Sequence, residues 1–251
     1  MLKTIFLNIF WCFVIIFSIC YGQNRSNLPD NIFMNISFVV AQPEGEFSKN
    51  VTNNGIGIDF DGGWYVLNGP IGLGLNIIGV QYGNFTRKIP YSYFSSLVTL
   101  TERTESKIFI VNPYVQPTIR LGAYSFYTKL FTGYQILSTD TKITSDDQQN
   151  NNSNDDDQPD YIAKTNVASD GVFNFGVGLG VRFPIYRAGD NGPVFLNCEV
   201  KWSAGGEADY LNAGKEGAII LSDPSGGPVT TTLNPDRSKT NLVNISLGIG
   251  F

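Results

Sequence analysis

The segment from Gly171 to Ile185 (GVFNFGVGLGVRFPI) alternates strictly between two kinds of residue. One set is large and apolar and consists of Phe173, Phe175, Val177, Leu179, Val181 and Phe183. The other set consists of Asn174, Gly176, Gly178, Gly180 and Arg182. Because successive side chains of a β-strand point to opposite faces, the two sets occupy different faces. An apolar face opposite a face of small or polar residues is typical of a membrane barrel, with lipid outside and a narrow lumen inside.

The C-terminal segment, Asn241–Phe251, repeats this pattern. Its apolar set is Val243, Ile245, Leu247, Ile249 and Phe251, and its alternate set is Leu242, Asn244, Ser246, Gly248 and Gly250. A tilted strand needs about 9–11 residues to cross a bilayer, and this segment has that length. The two segments therefore predict membrane-spanning strands.

Six further segments complete the predicted strands, and the connections between them are alternately long or polar and brief. The segments are Asn31–Ala41, Asn54–Tyr65, Ile71–Tyr82, Lys107–Leu121, Phe126–Ser138 and Pro193–Ala204. We expect an all-β fold over residues 31–251, namely an antiparallel up-and-down transmembrane barrel of eight strands. Its brief connections would face the periplasm, and its long ones, such as Asn84–Ser106 and Gly205–Lys239, would face outward.

Two local features qualify this prediction. Pro113 and Pro117 lie within the fourth strand, where we expect a bulge or a local break, because proline donates no ladder hydrogen bond. Aromatic residues are favoured at membrane interfaces. We therefore expect an aromatic rim at each end of the barrel: Trp64, Tyr65, Tyr186 and Phe251 on the periplasmic side, and Trp202 and Tyr210 on the outer side.

Residues 1–22 read as a secretory signal peptide, with Lys3 ahead of the apolar run Ile5–Ile19 and cleavage after Gly22. Residues 23–30 would form a short N-terminal segment. A transmembrane anchor is disfavoured because the apolar run is only fifteen residues long. A lipoprotein modified at Cys20 is a further alternative, and Ile19 is a poor fit immediately before that cysteine.

Residues 139–168 are acidic and rich in asparagine, and they predict a disordered extracellular loop because they offer little apolar surface to bury. The aspartates of this segment could attract calcium. A calcium loop needs a defined ligand spacing and usually a glycine at its sharp turn, and the segment has neither. A solvated acidic loop is the better interpretation.

Composition narrows the classes of function. The chain contains no histidine, which removes histidine-based acid–base catalysis, histidine-dependent serine triads and most zinc sites. The net charge of −5 argues against a nucleic-acid partner. After signal cleavage Cys198 would be the single cysteine, so no intrachain disulfide is expected. We predict no enzymatic activity, no cofactor and no metal site.

Charged residues also fall on the predicted lumen faces. They are Asp59, Asp61, Lys129, Arg182, Glu199 and Lys201. An eight-stranded barrel is only wide enough to be filled by side chains or to hold one small ligand, and unpaired buried charges are costly. We therefore expect a paired network that plugs the lumen. The alternative is a path for ions or small solutes.

Two motifs carry a resemblance to a known family. The run Gly205–Leu211 (GGEADYL) follows the alternating strand Phe195–Trp202, and the chain closes on NISLGIGF. Both resemble small outer-membrane β-barrel proteins of Bacteroidetes-type bacteria, within the outer-membrane protein A/X-like group. The resemblance covers most of residues 31–251 and implies a bacterial outer-membrane location. It also implies that Phe251 is an assembly signal read by the barrel-insertion machinery. The acidic loop and the two prolines depart from the family pattern.

We therefore predict a monomeric, non-enzymatic barrel in contact with outer-membrane lipid, with a structural or surface-interaction role carried by its extracellular loops. The sequence names no extracellular ligand. A narrow channel or porin for ions or small solutes is one alternative. A secreted β-sandwich adhesin is another, and it would leave cells without detergent.

Overall fold

The computed structural model describes residues 32–92, 95–145, 163–187, 193–212, 219–222 and 230–251. The predicted signal peptide (1–22), the segment 23–30, Asn31 and the central part of the acidic segment (146–162) lie outside these residues. Within the described part of the chain, no helix is long and apolar enough to cross a membrane.

Eight antiparallel strands close into one barrel, which confirms the predicted fold. In chain order the barrel strands are β1 Ile32–Glu44, β2 Gly55–Tyr65, β3 Ile71–Ser92, β4 Ser95–Leu121, β5 Tyr124–Ser145, β6 Ala163–Arg187, β7 Pro193–Gly205 and β12 Asn241–Gly250. Among the described residues between the last two, there are four short strands: β8 Glu207–Tyr210, β9 Ile219–Ser222, β10 Thr230–Leu233 and β11 Asp236–Lys239. β12 pairs with both β7 and β1, so the barrel has no open edge at its closure.

The strand pairing fixes how far the barrel is sheared. Following paired residues from Ile32 of β1 across each strand in turn leads back to β1 at Gln42, ten residues further along. With ~3.3 Å per residue and ~4.8 Å between strands, this shear tilts the strands by about 40°. The barrel therefore has two distinct ends. We call the end with the brief connections and Phe251 the turn end, and the opposite end the loop end.

The outer face carries a continuous apolar band. On β4 the outward residues from Leu121 to Phe109 are all apolar, and on β6 the same holds from Ile185 to Phe173. Each stretch is thirteen residues long. At a tilt of about 40°, it spans roughly 30 Å along the barrel axis, which is the thickness of the hydrocarbon core of a bilayer. This outer surface therefore requires contact with lipid.

Four strands extend well beyond the bilayer at the loop end. β3, β4, β5 and β6 have 22–27 residues, whereas the other four barrel strands have 10–13. The predicted connection Asn84–Ser106 is therefore wrong, because the β3–β4 ladder continues through most of it. The predicted loop 139–168 is likewise shorter, since β5 continues to Ser145 and β6 begins at Ala163. Above the bilayer neither face of a strand must be apolar. The alternation of apolar and polar residues therefore ends there, although the backbone pairing between strands continues.

Pro113 and Pro117 interrupt the ladder without shifting it. Both prolines keep their pairing with β3, opposite Leu75 and Ile71. Along the β4–β5 ladder, pairing skips Asn112–Pro113 and Gln116–Pro117, and the register is the same on either side of each gap. The expected bulge is thus absent, and the expected local break is present. The two proline rings face lipid. The N–H donors that the prolines lack would have pointed toward β5, so the missing hydrogen bonds belong to the β4–β5 ladder.

The interior is layered. Near the turn end Phe33, Tyr65, Tyr114 and Phe131 form an aromatic cluster. Toward the loop end the lumen becomes apolar through Val39, Ala41, Ile78, Val80, Ile108, Ile110, Leu137, Val172 and Leu242. Of the predicted charged residues, Arg182 lies against Phe33 and Tyr65 of the aromatic cluster, and the other five lie on the loop-end side of Arg182.

A lid closes the loop end. It consists of one helical turn, Phe47–Asn50, and the paired strands β8 and β11, which continue the β7–β12 pair beyond a break at Gly206 and Thr240. The ring of Phe47 packs edge-to-face against Tyr210, with centroids 5.0 Å apart, and both side chains are buried. The side-chain amide of Asn50 donates to the Tyr210 hydroxyl, at 3.0 Å. Ser106 and Thr139 of the barrel wall donate to the carbonyl oxygen of Leu211, which anchors the lid.

Candidate functional site

The six predicted charged residues all project into the lumen and are buried. Asp59 and Asp61 come from β2, Lys129 from β5 and Arg182 from β6. Glu199 and Lys201 come from β7. Each occupies the inward parity of its strand, because the side-chain period of two holds along the whole membrane-spanning length. We call Asp59, Asp61, Lys129, Glu199 and Lys201 the charged layer.

Two lysines join the three carboxylates of the charged layer. Lys129 Nζ donates to Asp61 and, at 3.0 Å, to Glu199 Oε2. Lys201 Nζ donates to Asp59 and lies 3.7 Å from the same oxygen of Glu199. Both lysine side chains are only 1 % exposed. Glu199 therefore bridges the two ammonium groups, and the network spans the barrel from β2 to β7.

Polar neighbours complete the charged layer, and sequence reasoning did not assign them to it. Asn35 and Tyr114 donate to the carboxylate of Asp61, the former at 3.0 Å. Asn76 and Ser246 donate to Asp59, the latter at 2.9 Å. All four lie on inward faces, and this parity was the available signal. Which carboxylate each residue contacts depends on the register between strands. The alternation within a single strand gives no information about that register.

Arg182 lies apart from the charged layer, nearer the turn end. Its guanidinium sits 4.7 Å from the ring centroids of both Phe33 and Tyr127. It donates to the Tyr65 hydroxyl at 3.1 Å and to the side-chain oxygen of Gln116 at 3.3 Å. A guanidinium stacked between aromatic faces is stabilised by cation–π attraction. Arg182 thus closes the turn end of the lumen as a stacked and hydrogen-bonded plug.

The six predicted lumen charges balance one another, and a further cation, Arg120, lies half-buried on an inward position at the turn-end rim, 5.6 Å from the Tyr65 ring centroid. Three carboxylates, of Asp59, Asp61 and Glu199, face three cations, of Lys129, Lys201 and Arg182. A lumen of low dielectric tolerates such groups only when they are paired and hydrogen-bonded. The geometry therefore suits a neutral plug. The described part of the lumen offers no surplus buried charge of one sign to draw a permeant ion through.

Other predicted positions divide between the two surfaces. Phe251 and Trp64 are exposed on the outer face at the turn end, and Trp202 is exposed toward the loop end, where its indole N–H donates to Glu44 at 3.2 Å. Tyr65 and Tyr210, predicted at the rims, are instead buried. Tyr65 has inward parity, and Tyr210 is carried inward by the lid. The side chain of Tyr186 lies outside the described side chains.

No cluster of three His, Cys, Asp or Glu suited to a metal ion occurs among the described residues. Cys198, a free thiol on the outer face of β7, is half-buried. The site therefore consists of a charged layer, an arginine plug and a lid.

Comparisons with known proteins give likeness of architecture only. The chain matches no known protein family and none of the curated proteins. Among solved structures it is similar to Neisserial surface protein A, with 9 % identity, a TM-score of 0.44 and coverage of 88 % of this chain and 96 % of that one. It is similar to a major outer-membrane protein of Thermus thermophilus, with 9 % identity, a TM-score of 0.44 and coverage of 87 % and 98 %.

A third similar structure is Ail, the attachment invasion locus protein of Yersinia pestis, solved with the heparin analogue sucrose octasulfate. The identity is 13 %, the TM-score 0.38 and the coverage 88 % and 96 %. At these TM-scores the similarity supports no inference about this protein. Its location is inferred from its own structure. A closed eight-stranded barrel with an apolar band as tall as a bilayer is the architecture of the bacterial outer membrane, and this is where the protein resides.

Proposed function

We propose that this protein is a monomeric, non-enzymatic outer-membrane barrel whose lumen is sealed and whose role is structural or surface-interactive. The observation that carries the proposal is the charged layer, in which Lys129 and Lys201 are each bound by two carboxylates and no net charge remains once Arg182 is counted. A permeating ion would have to break these buried pairs, at a cost of several kcal/mol.

The lid supports the same proposal from the other side. Phe47 and Tyr210 fill the mouth at the loop end, and hydrogen bonds from Ser106 and Thr139 hold the lid to two barrel strands. A solute would meet an apolar obstruction at the mouth and a charged one at mid-membrane. The extended strands β3–β6 and the lid are then the parts of the molecule that a partner can reach.

Planar-bilayer recording tests the sealed lumen. We expect the wild-type barrel to show no stable single-channel steps. The variant Lys129→Ala/Lys201→Ala removes both cations of the charged layer, and the variant Phe47→Gly/Tyr210→Gly removes the lid aromatics. Neither variant alone should show steps, because the other obstruction remains, and the combined variant should show them. Stable steps from the wild-type barrel would favour the alternative, a narrow channel.

The orientation is part of the proposal, with the loop end outside the cell. Ser169, exposed on β6 above the apolar band, and Ala123, in the turn after β4, mark the two ends. In a Cys198→Ser background, Ser169→Cys should react with a membrane-impermeant maleimide on intact cells. Ala123→Cys should react only after the outer membrane is ruptured. The reverse pattern would invert the topology.

The finer assignments also belong to this proposal. The motif Gly205–Leu211 and the closing NISLGIGF support membership of the outer-membrane protein A/X-like group of Bacteroidetes type. Recognition of Phe251 by the barrel-insertion machinery follows from the same resemblance. In the structure Phe251 is exposed on the outer face at the turn end and pairs with Met34 through two backbone hydrogen bonds.

A further inference from the structure

A groove crosses the outer face of the barrel within the apolar band. It follows a row of directly paired residues, one from each of the six strands β2–β7: Trp64, Leu73, Val115, Leu130, Val177 and Trp202. Pro113, Thr132 and Phe175 border this row on its loop-end side. We call this feature the outer groove. Its volume is about 770 Å³, which lies within the range of small-molecule sites, roughly 300–1,000 Å³.

The outer groove is a recess in the band. On β6, Val177 is 38 % exposed, whereas its outward neighbours Phe175 and Leu179 are 62 % and 63 % exposed. At the centre of the groove, pairing between β4 and β5 is interrupted where Pro113 stands opposite Thr132. A chain that lies in a recess contacts protein on more than one side, so it gains more dispersion contact than a chain on a convex barrel surface.

The polar groups at the edges of the outer groove already have protein partners. The Thr132 hydroxyl donates to the carbonyl oxygen of Asn174 at 3.1 Å. The indole N–H of Trp202 donates to Glu44 at 3.2 Å, and Pro113 has no N–H to donate. A polar occupant would therefore lose its hydrogen bonds to water without replacing them, which is costly. The groove suits a hydrocarbon.

The position of the row in the bilayer matches that of an acyl chain. Five interstrand steps of ~4.8 Å make the row about 24 Å long, and the strand tilt makes it climb about 15 Å along the barrel axis. Val115 is the middle residue of the apolar stretch Phe109–Leu121, so it lies at the bilayer midplane. Trp202 is then about 9 Å above the midplane toward the loop end, and Trp64 about 6 Å below it. The groove thus stays inside the ~30 Å hydrocarbon core.

We propose that the outer groove binds one acyl chain of a lipid from the leaflet at the loop end. The chain enters at Trp202, runs along Val177 and Leu130, and ends near Val115 at the midplane. The occupant is a lipid because the groove is continuous with the lipid-facing band and lies at the depth of the acyl chains. This lipid is a stoichiometric part of the folded barrel, in contrast to the lipid that exchanges over the rest of the band.

Native mass spectrometry tests the stoichiometry. The barrel is refolded into dioleoyl phosphatidylcholine vesicles and extracted into a mild detergent, and the wild type should retain one phosphatidylcholine. Val177→Phe fills the recess and should lose this lipid. Val40→Phe is the matched control, the same substitution on the outer face of β1, and should keep it. Equal retention by the two folded variants, or no lipid on the wild type, would overturn the proposal. A dimer that dissociates in Val177→Phe would also overturn it, because a second copy would then fill the groove.

Fluorescence quenching locates the retained lipid without relying on a groove variant. Trp64 and Trp202 are the only tryptophans after residue 22. The vesicles now contain phosphatidylcholine brominated in the upper half of its acyl chains, because bromine quenches nearby indoles. In the extracted barrel, Trp64→Phe, which keeps Trp202, should be strongly quenched. Trp202→Phe, which keeps Trp64, should be quenched weakly, since the chain ends short of Trp64. Unquenched Trp202 emission from a lipid-bearing barrel would place the lipid elsewhere and contradict the proposal.

Discussion

Lys129 of β5 and Glu199 of β7 form a buried ion pair of 3.0 Å although β6 passes between their strands. The residue that β6 places between them is Gly178, which pairs with Lys129 on one side and with Lys201 on the other. A Cβ atom there would lie 3.0 Å from both Glu199 Oε1 and Lys201 Cγ. The glycines of β6 therefore make room for the charged layer, in addition to fitting a narrow lumen.

The first prediction concerns this glycine. Gly178→Val should destabilise the barrel by about 1–3 kcal/mol, because it overpacks the space between Glu199 and Lys201. Gly79→Val is the control, since a Cβ atom on that outward glycine meets nothing within 4 Å. The measurement is the urea unfolding midpoint in lipid vesicles. Equal midpoints for the two variants would contradict the role of Gly178.

The charged layer itself gives the second prediction. Lys129→Met should cost about 3–5 kcal/mol, because it leaves the Asp61 carboxylate buried without its cation and Glu199 with only the 3.7 Å contact to Lys201. The double variant Lys129→Met/Glu199→Gln restores the charge balance and should recover part of that loss. A double-mutant cycle on the unfolding free energy measures the coupling. A strictly additive cycle would show that the two residues do not interact.

Leu179 provides a test of the lipid face. Leu179→Arg places a cation in the apolar band near the bilayer midplane and should cost about 2–4 kcal/mol, which lowers the membrane-inserted fraction. Ser169→Arg, on the same strand and the same face but above the band, should insert normally. Heat-modifiable migration on a gel after detergent extraction reports the folded fraction. Similar losses of the folded fraction in both variants would contradict the assignment of the apolar band to the lipid-facing surface.

Glu105 makes the fold above the membrane sensitive to acid. A hydrogen bond from Lys107 holds the pKa of the Glu105 carboxyl below its usual value of 4.5, and the charges of Lys107 and Arg103 act in the same direction. A depressed folded-state pKa contributes stability above pH 4.5 that is lost as the pH falls through the folded value. Glu105→Gln should therefore flatten the acid limb of the unfolding midpoint between pH 6 and pH 3.

The matched control for this acid limb is Glu207→Gln. The carboxylate of Glu207 lies 3.5 Å from Arg237, and both side chains are more than half exposed. Such exposed pairs contribute little to stability. The control should therefore keep the wild-type pH profile. A flattened profile in the control, or an unchanged one in Glu105→Gln, would argue against the assignment.

The C-terminal strand must close the barrel. Deleting residues 246–251 removes the β12 residues that pair with Asn35–Val39 of β1, and it should abolish the heat-modifiable form, because lipid cannot satisfy the exposed backbone. Phe251→Ala should be milder and slow the appearance of the folded form, since the exposed ring contributes no lumen contact. Wild-type insertion of the truncated chain would disprove the closing role of β12.

How much of the site could be predicted depends on how local the signal is. The inward parity of Asp59, Asp61, Lys129, Arg182, Glu199 and Lys201 follows from a period of two, which each strand shows by itself. The contacts of these residues do not follow from it. Lys129 meets Asp61, 68 residues away, only because the shear of ten residues brings those positions to one level.

The lid was not predicted for a related reason. Phe47 and Tyr210 stand in polar connections, where single aromatics are weak signals, and Tyr210 resembles an interfacial residue. Its burial depends on the break at Gly206 and Thr240, which folds β8 and β11 over the mouth. The extended strands were missed because alternation ends where the bilayer ends, while backbone pairing does not.

The sequence by itself determined the barrel, its eight strands and the face that each strand residue occupies. These properties follow from alternation against a lipid boundary, which every strand carries independently. Only the tertiary structure decided the shear, the partners within the charged layer, the stacking of Arg182 and the packing of the lid. All of these depend on the register between strands, and register is set by pairing over long sequence distances that no single segment encodes.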